Sequence, residues 1–247
     1  MDHYLYIAMN GASNALHAQQ TVANNLANVN TVGFKAEMDH FQSQSVYGPG
    51  YASRAYASDE TAGVDYKQGT VMTTGRDLDV MINSEGWFAV QADDGSTGYS
   101  RRGDLHIDPT GLLLNGANQI MMGEGGPVTL PDFESLVIGR DGTISIRAAG
   151  QAANTLVAVD RLMLVNPPVE NMRRGADGLF RTMDGVDAVA DASITLTGGA
   201  LEASNVKSID AMINMMEYAR FYETQVKLMS VAEETDASSA RLMRLSG

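Results

Sequence analysis

The chain has 247 residues, 44 % of them apolar and 19 % charged. That balance excludes a disordered polyelectrolyte and suits one large domain or two modest ones. A formal net charge of −13 argues against nucleic acid as a partner, and the absence of cysteine excludes disulfides and thiolate metal sites.

Residues 1–30 carry one charge, Asp2, and the first basic side chain is Lys35. A basic region and a continuous apolar region are both missing, so no cleavable signal peptide is expected. No later run approaches the roughly 18 apolar residues of a membrane span. From Tyr4 to about Val29, Leu5, Ala8, Ala12, Ala15, Val22 and Leu26 recur at alternating spacings of three and four, with Gln19 in the gap. This is a heptad seam on one face of a helix. Asp2 is the expected N-cap and Gly33 the expected stop. The seam is mostly Ala, and residues 1–30 hold eight Asn or Gln. Such a helix is marginal alone and needs a partner.

Residues 36–75, rich in Tyr, Ser, Ala and Gly, read as an extended connector. The stretch 76–203 holds most of the Gly and short apolar runs: Leu78–Ile82, Trp87–Gln91, Leu112–Leu114, Val128–Leu130, Leu136–Ile138, Thr143–Ile146 and Leu156–Val165. Asp94-Gly95, Asn115-Gly116, Asp141-Gly142, Asp177-Gly178 and Asp184-Gly185 separate many of them. Such pairs supply the positive φ of tight hairpins, so an antiparallel β domain is expected here.

A second helix is expected from Ser204 or Asn205 almost to the end of the chain. Met212, Met215, Ala219, Tyr222, Val226 and Met229 repeat the three-four spacing. Ile209, Ile213, Met216, Leu228, Val231, Leu242 and Leu245 widen the apolar face. Glu217 with Arg220, and Glu223 with Lys227, are spaced as helical ion pairs. The expected fold class is α+β: a β-rich central domain flanked by N- and C-terminal helices, 1–35 and 204–247, that pair as a coiled coil on assembly. Met adapts to imperfectly equivalent packing, so the Met stripe reads as a core shared between chains.

Residues that carry chemistry are scarce. His106 and Asp108 are a strand residue and a turn rather than a metal pair, since no further ligands stand at a recognised spacing. Asp77 and Asp79 read as the polar face of an entering strand, with Leu78 and Val80 toward the core. The glycine-rich stretch 123–127 lacks the Lys-Ser/Thr of a phosphate loop, and no Gly-x-Ser-x-Gly elbow is present. Arg102-Gly103-Asp104 matches an adhesion tripeptide, but a hairpin reading is preferred. No catalytic residue, metal or cofactor is expected. A soluble hydrolase or lectin-like β domain has no use for two mutually dependent terminal helices.

The stretch from Ala23-Asn24-Asn25-Leu26-Ala27-Asn28 to Gly33-Phe34-Lys35 closely resembles the N-terminal signature of the flagellar rod and hook family. Asp77–Ile82, Gly86–Val90, Tyr99–Gly103 and Asp177–Arg181 extend the resemblance, and Gly199–Val206 with Arg220-Phe221-Tyr222-Glu223 resembles the C-terminal signature. The match runs over the whole chain in order. Its Met1-Asp2 opening and its tail at 227–234 look more like the proximal part of the rod than the distal part. The resemblance implies a structural protein, not an enzyme. It implies uncleaved export by the flagellar type III apparatus and helical assembly, with itself and with other proximal and distal rod subunits, into a torque-transmitting shaft across the periplasm. The implied assembly residues are Leu5, Ala12, Val22, Asn24, Asn25, Leu26, Asn28 and Phe34, with Met212, Met215, Met216, Tyr222, Val226 and Met229. Terminal segments in the family are often disordered before assembly.

Overall fold

The helical periodicity at the two ends materialises as α1 (Tyr4–Ala27) and α2 (Ser208–Leu245), of 24 and 38 residues. The computed structural model describes residues 4–45, 55–148, 150 and 155–245. The expected cap Asp2 lies outside them, as do the side chains of Leu242 and Leu245. The chain divides into two compact units, one of Met1–Val29, Lys35–Asp65 and Val206–Gly247, the other of Asn30–Phe34 and Tyr66–Asn205.

The first unit holds α1, α2 and an antiparallel ribbon of β1 (Glu37–Ser45) and β2 (Ala55–Val64), with a register shift between Met38 and His40. Gly11 lies against Gln225, and Leu5 and Tyr6 share a groove with residues 226–236. The two helices therefore run antiparallel. α2 begins three residues beyond Asn205, because the Asn205 amide is spent on the Lys67 carbonyl at 3.1 Å. Lys207 and Asp210, 3.8 Å apart, form an ion pair at its start. Among the described residues the expected pairs Glu217–Arg220 and Glu223–Lys227 do not close to ion-pair distance; long exposed side chains gain little from doing so.

The second unit is the antiparallel β domain. Its strands in chain order are β3 (Val71–Thr73), β4 (Val80–Ile82), β5 (Trp87–Gln91), β6 (Thr97–Ser100), β7 (Leu105–Ile107), β8 (Leu113–Asn115), β9 (Ile120–Gly123), β10 (Gly126–Pro127), β11 (Phe133–Ile138), β12 (Thr143–Ala148), β13 (Val157–Arg161), β14 (Leu164–Val165), β15 (Met172–Arg174), β16 (Phe180–Thr182), β17 (Leu196–Gly198) and β18 (Ala200–Glu202). The largest sheet runs β15-β16-β6-β5-β9-β8-β7, with β10 on β9 and β14 on β5. A second sheet is β11-β12-β13, and β17 pairs with β4 and β18 with β3. Val80, Phe88, Leu105, Leu113, Ile144 and Leu196 anchor one continuous apolar core. The run Val128–Leu130 forms only an isolated bridge, Leu112 with Thr129.

Gly95, Gly142, Gly178 and Gly185 take positive φ as their Asp-Gly pairs require. At Asn115-Gly116 the left-handed residue is instead Asn118, with φ 61°. The Asn115 side-chain oxygen accepts from the N–H groups of Ala117 and Gln119 and closes that turn. Gly116 is there for space: a Cβ would sit 1.9 Å from an Asp104 carboxylate oxygen. Asp79 also departs from expectation. It is buried rather than on an open polar face, and the Arg76 guanidinium holds its carboxylate from Nε at 2.9 Å.

Candidate assembly surface

α1 packs on α2 through its smallest side chains. Ala8, Ala12, Ala15 and Ala18 are buried, while Val22 and Leu26 are half-buried. The buried line passes through Ala18 and Asn25 where the seam had expected Gln19 and Leu26, because a straight helix of 3.6 residues per turn drifts from a strict heptad. On α2, Ala211 is buried, and Met215, Tyr218, Tyr222, Gln225 and Met229 are half-buried along the same side. Gly11 faces this side too, with a Cβ placed 3.1 Å from the end of the Gln225 side chain, so the glycine leaves room for that amide.

Both helices carry a second apolar stripe that remains open. On α1 it is Leu5, Met9 and Leu16, 47 %, 55 % and 43 % exposed, spaced to share one face. On α2 it is Ile209, Met212, Ile213 and Met216, which at 100° per residue lie opposite the side of Ala211 and Met215. Of the residues named from sequence, Met215, Tyr222 and Met229 thus lie toward the pair, while Leu5, Met212, Met216 and Val226 are exposed. An open groove of about 790 Å³ lies where α1 starts, lined chiefly by Leu5, Tyr6, Val226, Met229 and Ala232.

The amides of the N-terminal signature have local work. Asn25 is buried and pairs its side chain with the Glu37 backbone as a strand would, donating from Nδ2 at 2.8 Å and accepting at Oδ1 from the N–H at 2.9 Å. Thr21 donates to Asp39 at 2.8 Å, so two α1 side chains fix the start of β1. Asn28 donates to the Asn24 carbonyl and side-chain oxygens, both at 3.0 Å, closing the end of the helix.

Gly33 and Phe34 belong to the β unit. Gly33 has φ 68°, and a Cβ there would stand 2.5 Å from the Arg101 carbonyl carbon. Its N–H donates to the Glu202 carbonyl at 2.7 Å. Phe34 is buried with the Arg174 guanidinium 4.5 Å from its ring centre, and its carbonyl accepts from the Asn205 N–H. Arg101 and Glu202 form a buried ion pair at 3.4 Å, and the Glu202 carboxylate also accepts from the Gly69 N–H. Burial pushes the Arg101 guanidinium below its ordinary range, and the Glu202 charge opposes that shift. Residues from all three signature regions thus meet in one hydrogen-bonded knot. Spacing alone gave no signal of this, since Gly33, Arg101 and Glu202 are far apart in the chain.

Trp87 and Phe88 are buried; Trp87 meets Phe180 at 4.5 Å with the rings tilted by 45° and meets Tyr66 edge-on at 6.1 Å. The tripeptide Arg102-Gly103-Asp104 is turned on itself, with Nε and Nη2 of Arg102 on the two Asp104 oxygens at 2.8 and 3.0 Å. His106 lies on β7 opposite Leu114. Among the described residues no group of three or more His, Asp or Glu could hold a metal, and no helix is long and apolar enough to cross a membrane.

Three family models match the chain: "Flagella basal body rod protein" at residues 5–35, "Flagellar hook protein FlgE/F/G D1 domain" at 81–146 and "Flagellar basal body rod FlgEFG protein C-terminal" at 197–242. The flagellar basal-body rod protein FlgF of Salmonella typhimurium is 38 % identical over 100 % of both chains, and that of Escherichia coli 37 % over the same span. The rod protein FlgG of Bacillus subtilis is more distant, 28 % identical over 93 % of this chain and 95 % of its own. The chain therefore belongs to the flagellar basal-body rod protein family, on its FlgF-like side, as a structural subunit of the rod and not an enzyme.

Proposed function

We propose that the chain polymerises helically as part of the proximal rod, through its terminal helices, and so helps form the shaft that carries torque across the periplasm. The carrying observation is the second apolar stripe. Leu5, Met9 and Leu16 on α1, and Ile209, Met212, Ile213 and Met216 on α2, remain exposed after the helices have paired with each other. Helices that still expose such faces have more apolar surface to bury than one chain covers, and other rod subunits are the natural cover. On this reading residues 1–35 and 204–247 are assembly segments, 36–75 a connector that carries the β1–β2 ribbon, and 76–203 an outer domain. The lack of cysteine suits export in an unfolded state by the flagellar type III apparatus.

The test is the triple variant Leu5→Ser, Met9→Ser, Leu16→Ser in a strain lacking the chain. The purified protein should keep its β-domain melting transition, while rods fail to complete and cells do not swim. Normal swimming would show that this stripe faces solvent in the rod.

A further inference from the structure

We propose that the loop of residues 183–191 in the β domain is a docking surface for a protein other than a copy of this chain, one whose contact face has an apolar centre and a rim of Lys and Arg. The loop displays Met183, Val186 and Val189 at 60 %, 65 % and 84 % exposure, and Val169 beside it is 44 % exposed. Such residues on a mobile tip would mean little, but this loop is fastened along its length. The Met183 N–H donates to the Asn171 carbonyl at 2.8 Å, and Asn171 donates to Asp184 at 2.9 Å. Thr182 Oγ1 donates to the Val186 carbonyl at 2.7 Å, and the Ala188 N–H to Tyr99 Oη at 2.7 Å. Ala190 bridges Val165, and the Asp191 N–H donates to the Leu164 carbonyl at 2.8 Å. A loop held this way presents its apolar side chains already ordered, so a partner meets little ordering cost. None of the three contributes to the domain core.

The charges around the patch select the occupant. Asp184, Asp187 and Asp191 interleave with the apolar side chains and Glu170 stands next to Val169; Arg173, Arg174 and Arg181 line a pocket on the Met183 side, so the acidic rim is the stretch 184–191 around Val186 and Val189. Asp184 and Asp191 accept hydrogen bonds, from the Val186 N–H and from Ser193, that hold them below the ordinary carboxylate range and keep them ionised. A second copy arrives with 30 acidic against 17 basic side chains and is on average repelled from this rim. A basic-rimmed partner gains both the apolar cover and the charge match.

The chain has no cysteine, so Val189→Cys creates a unique thiol. The full-length variant, incorporated into flagella of swimming cells, would carry a thiol-linked photo-crosslinker in isolated basal bodies. The expected product joins residue 189 to a different protein, at a peptide with Lys or Arg flanking an apolar residue. Adding Val186→Ser, whose side chain touches none of the fastening bonds, should lower the yield several-fold, and Asp187→Lys should do the same. An unchanged Trp87 melting curve for each variant excludes a folding artefact. A product containing a second copy of this chain, no product, or a yield indifferent to Asp187→Lys would each overturn the proposal.

Discussion

Gly33→Ala and Gly75→Ala form a matched pair that isolates how much of the Gly33 requirement is close approach rather than backbone conformation. Both glycines sit in the left-handed region, at φ 68° and 73°. Around Gly75 a Cβ meets nothing within 4 Å, whereas at Gly33 it stands 2.5 Å from the Arg101 carbonyl carbon and 2.8 Å from the Arg102 nitrogen. The conformational cost is shared, about 1–2 kcal/mol for an L residue held left-handed, partly offset by about 0.4–1 kcal/mol from the stiffer unfolded chain. Gly33→Ala must in addition displace main chain that the Arg101–Glu202 pair holds, at an overpacking cost of about 1–3 kcal/mol. The assay is urea unfolding of the full chain followed through Trp87, its single tryptophan, which is 3 % exposed inside the β unit. With slopes of about 1–3 kcal/mol per molar urea, the midpoint of the Gly33 variant should fall clearly below that of the Gly75 variant. Equal midpoints would refute the close-approach argument and leave φ as the whole reason for glycine.

Asn25→Ala removes both hydrogen bonds to the Glu37 backbone; with a buried pair lost at about 1–3 kcal/mol, amide exchange at Glu37 should quicken while that of the β domain does not. Leu113→Ala empties a fully buried core position and should cost about 2–5 kcal/mol in the Trp87 transition. Acid should unfold the β domain through its turn aspartates. Asp94, Asp141 and Asp191 are lowered first by the Ser96, Thr143 and Ser193 hydroxyls, Asp177 by Arg181 and Asp184 by the Val186 N–H. Depressed folded values mean stabilisation that is full above the unfolded carboxyl pKa of about 3.9 and is lost as pH falls through the folded values. Thermal midpoints should therefore hold at pH 5 and drop below about pH 4; a drop centred near pH 6 would implicate other groups. Met216→Asp on the exposed face of α2 should leave the melting of the isolated chain unchanged and prevent rod incorporation, whereas Met215→Asp should disturb both.

A 3.6-residue repeat made the two helices legible, and apolar runs between turn pairs marked β4, β5, β8, β11, β12, β13 and β14, but β1, β2 and β3 lie in the stretch that reads as a connector. The run Leu156–Val165 shows the limit. It divides into β13 and β14, which join different sheets, since Leu162 donates its N–H to the Gly142 carbonyl between them. Asp79 looked like an open polar residue because its partner, Arg76, stands three positions away with nothing to mark it as more than another surface charge. The Gly116 role depends on Asp104, and the Gly33 role on Arg101, so both were hidden in tertiary contacts. Helix starts were misplaced where a polar side chain, Asn205, had a nearer backbone partner than the helix it was expected to cap.

The distribution of apolar surface on α1 bears directly on why such a helix is tied to assembly. The face turned to α2 buries four alanines, and four methyl groups contribute about 3 kcal/mol at roughly 0.8 kcal/mol each. The open face holds Leu5, Met9 and Leu16, and full burial of side chains that size is worth about 1.5–3 kcal/mol apiece. These side chains are 43–55 % exposed, so about half of that, roughly 2–4.5 kcal/mol in all, is still to be gained, a sum comparable with what the four methyls contribute. Small residues on the inner side of α1 leave room for long side chains of α2, as Gly11 does for the Gln225 amide, so α1 itself contributes little apolar area to the pair. Large residues on the outer side would supply the stabilisation only when a neighbouring subunit covers them. Exchanging the two patterns by Ala12→Leu with Leu16→Ala should damage both faces at once: the buried Ala12 position would be overpacked and the outer face would lose an anchor. If rods assembled normally from that double variant, the assignment of small residues to the pair and large ones to assembly would be wrong.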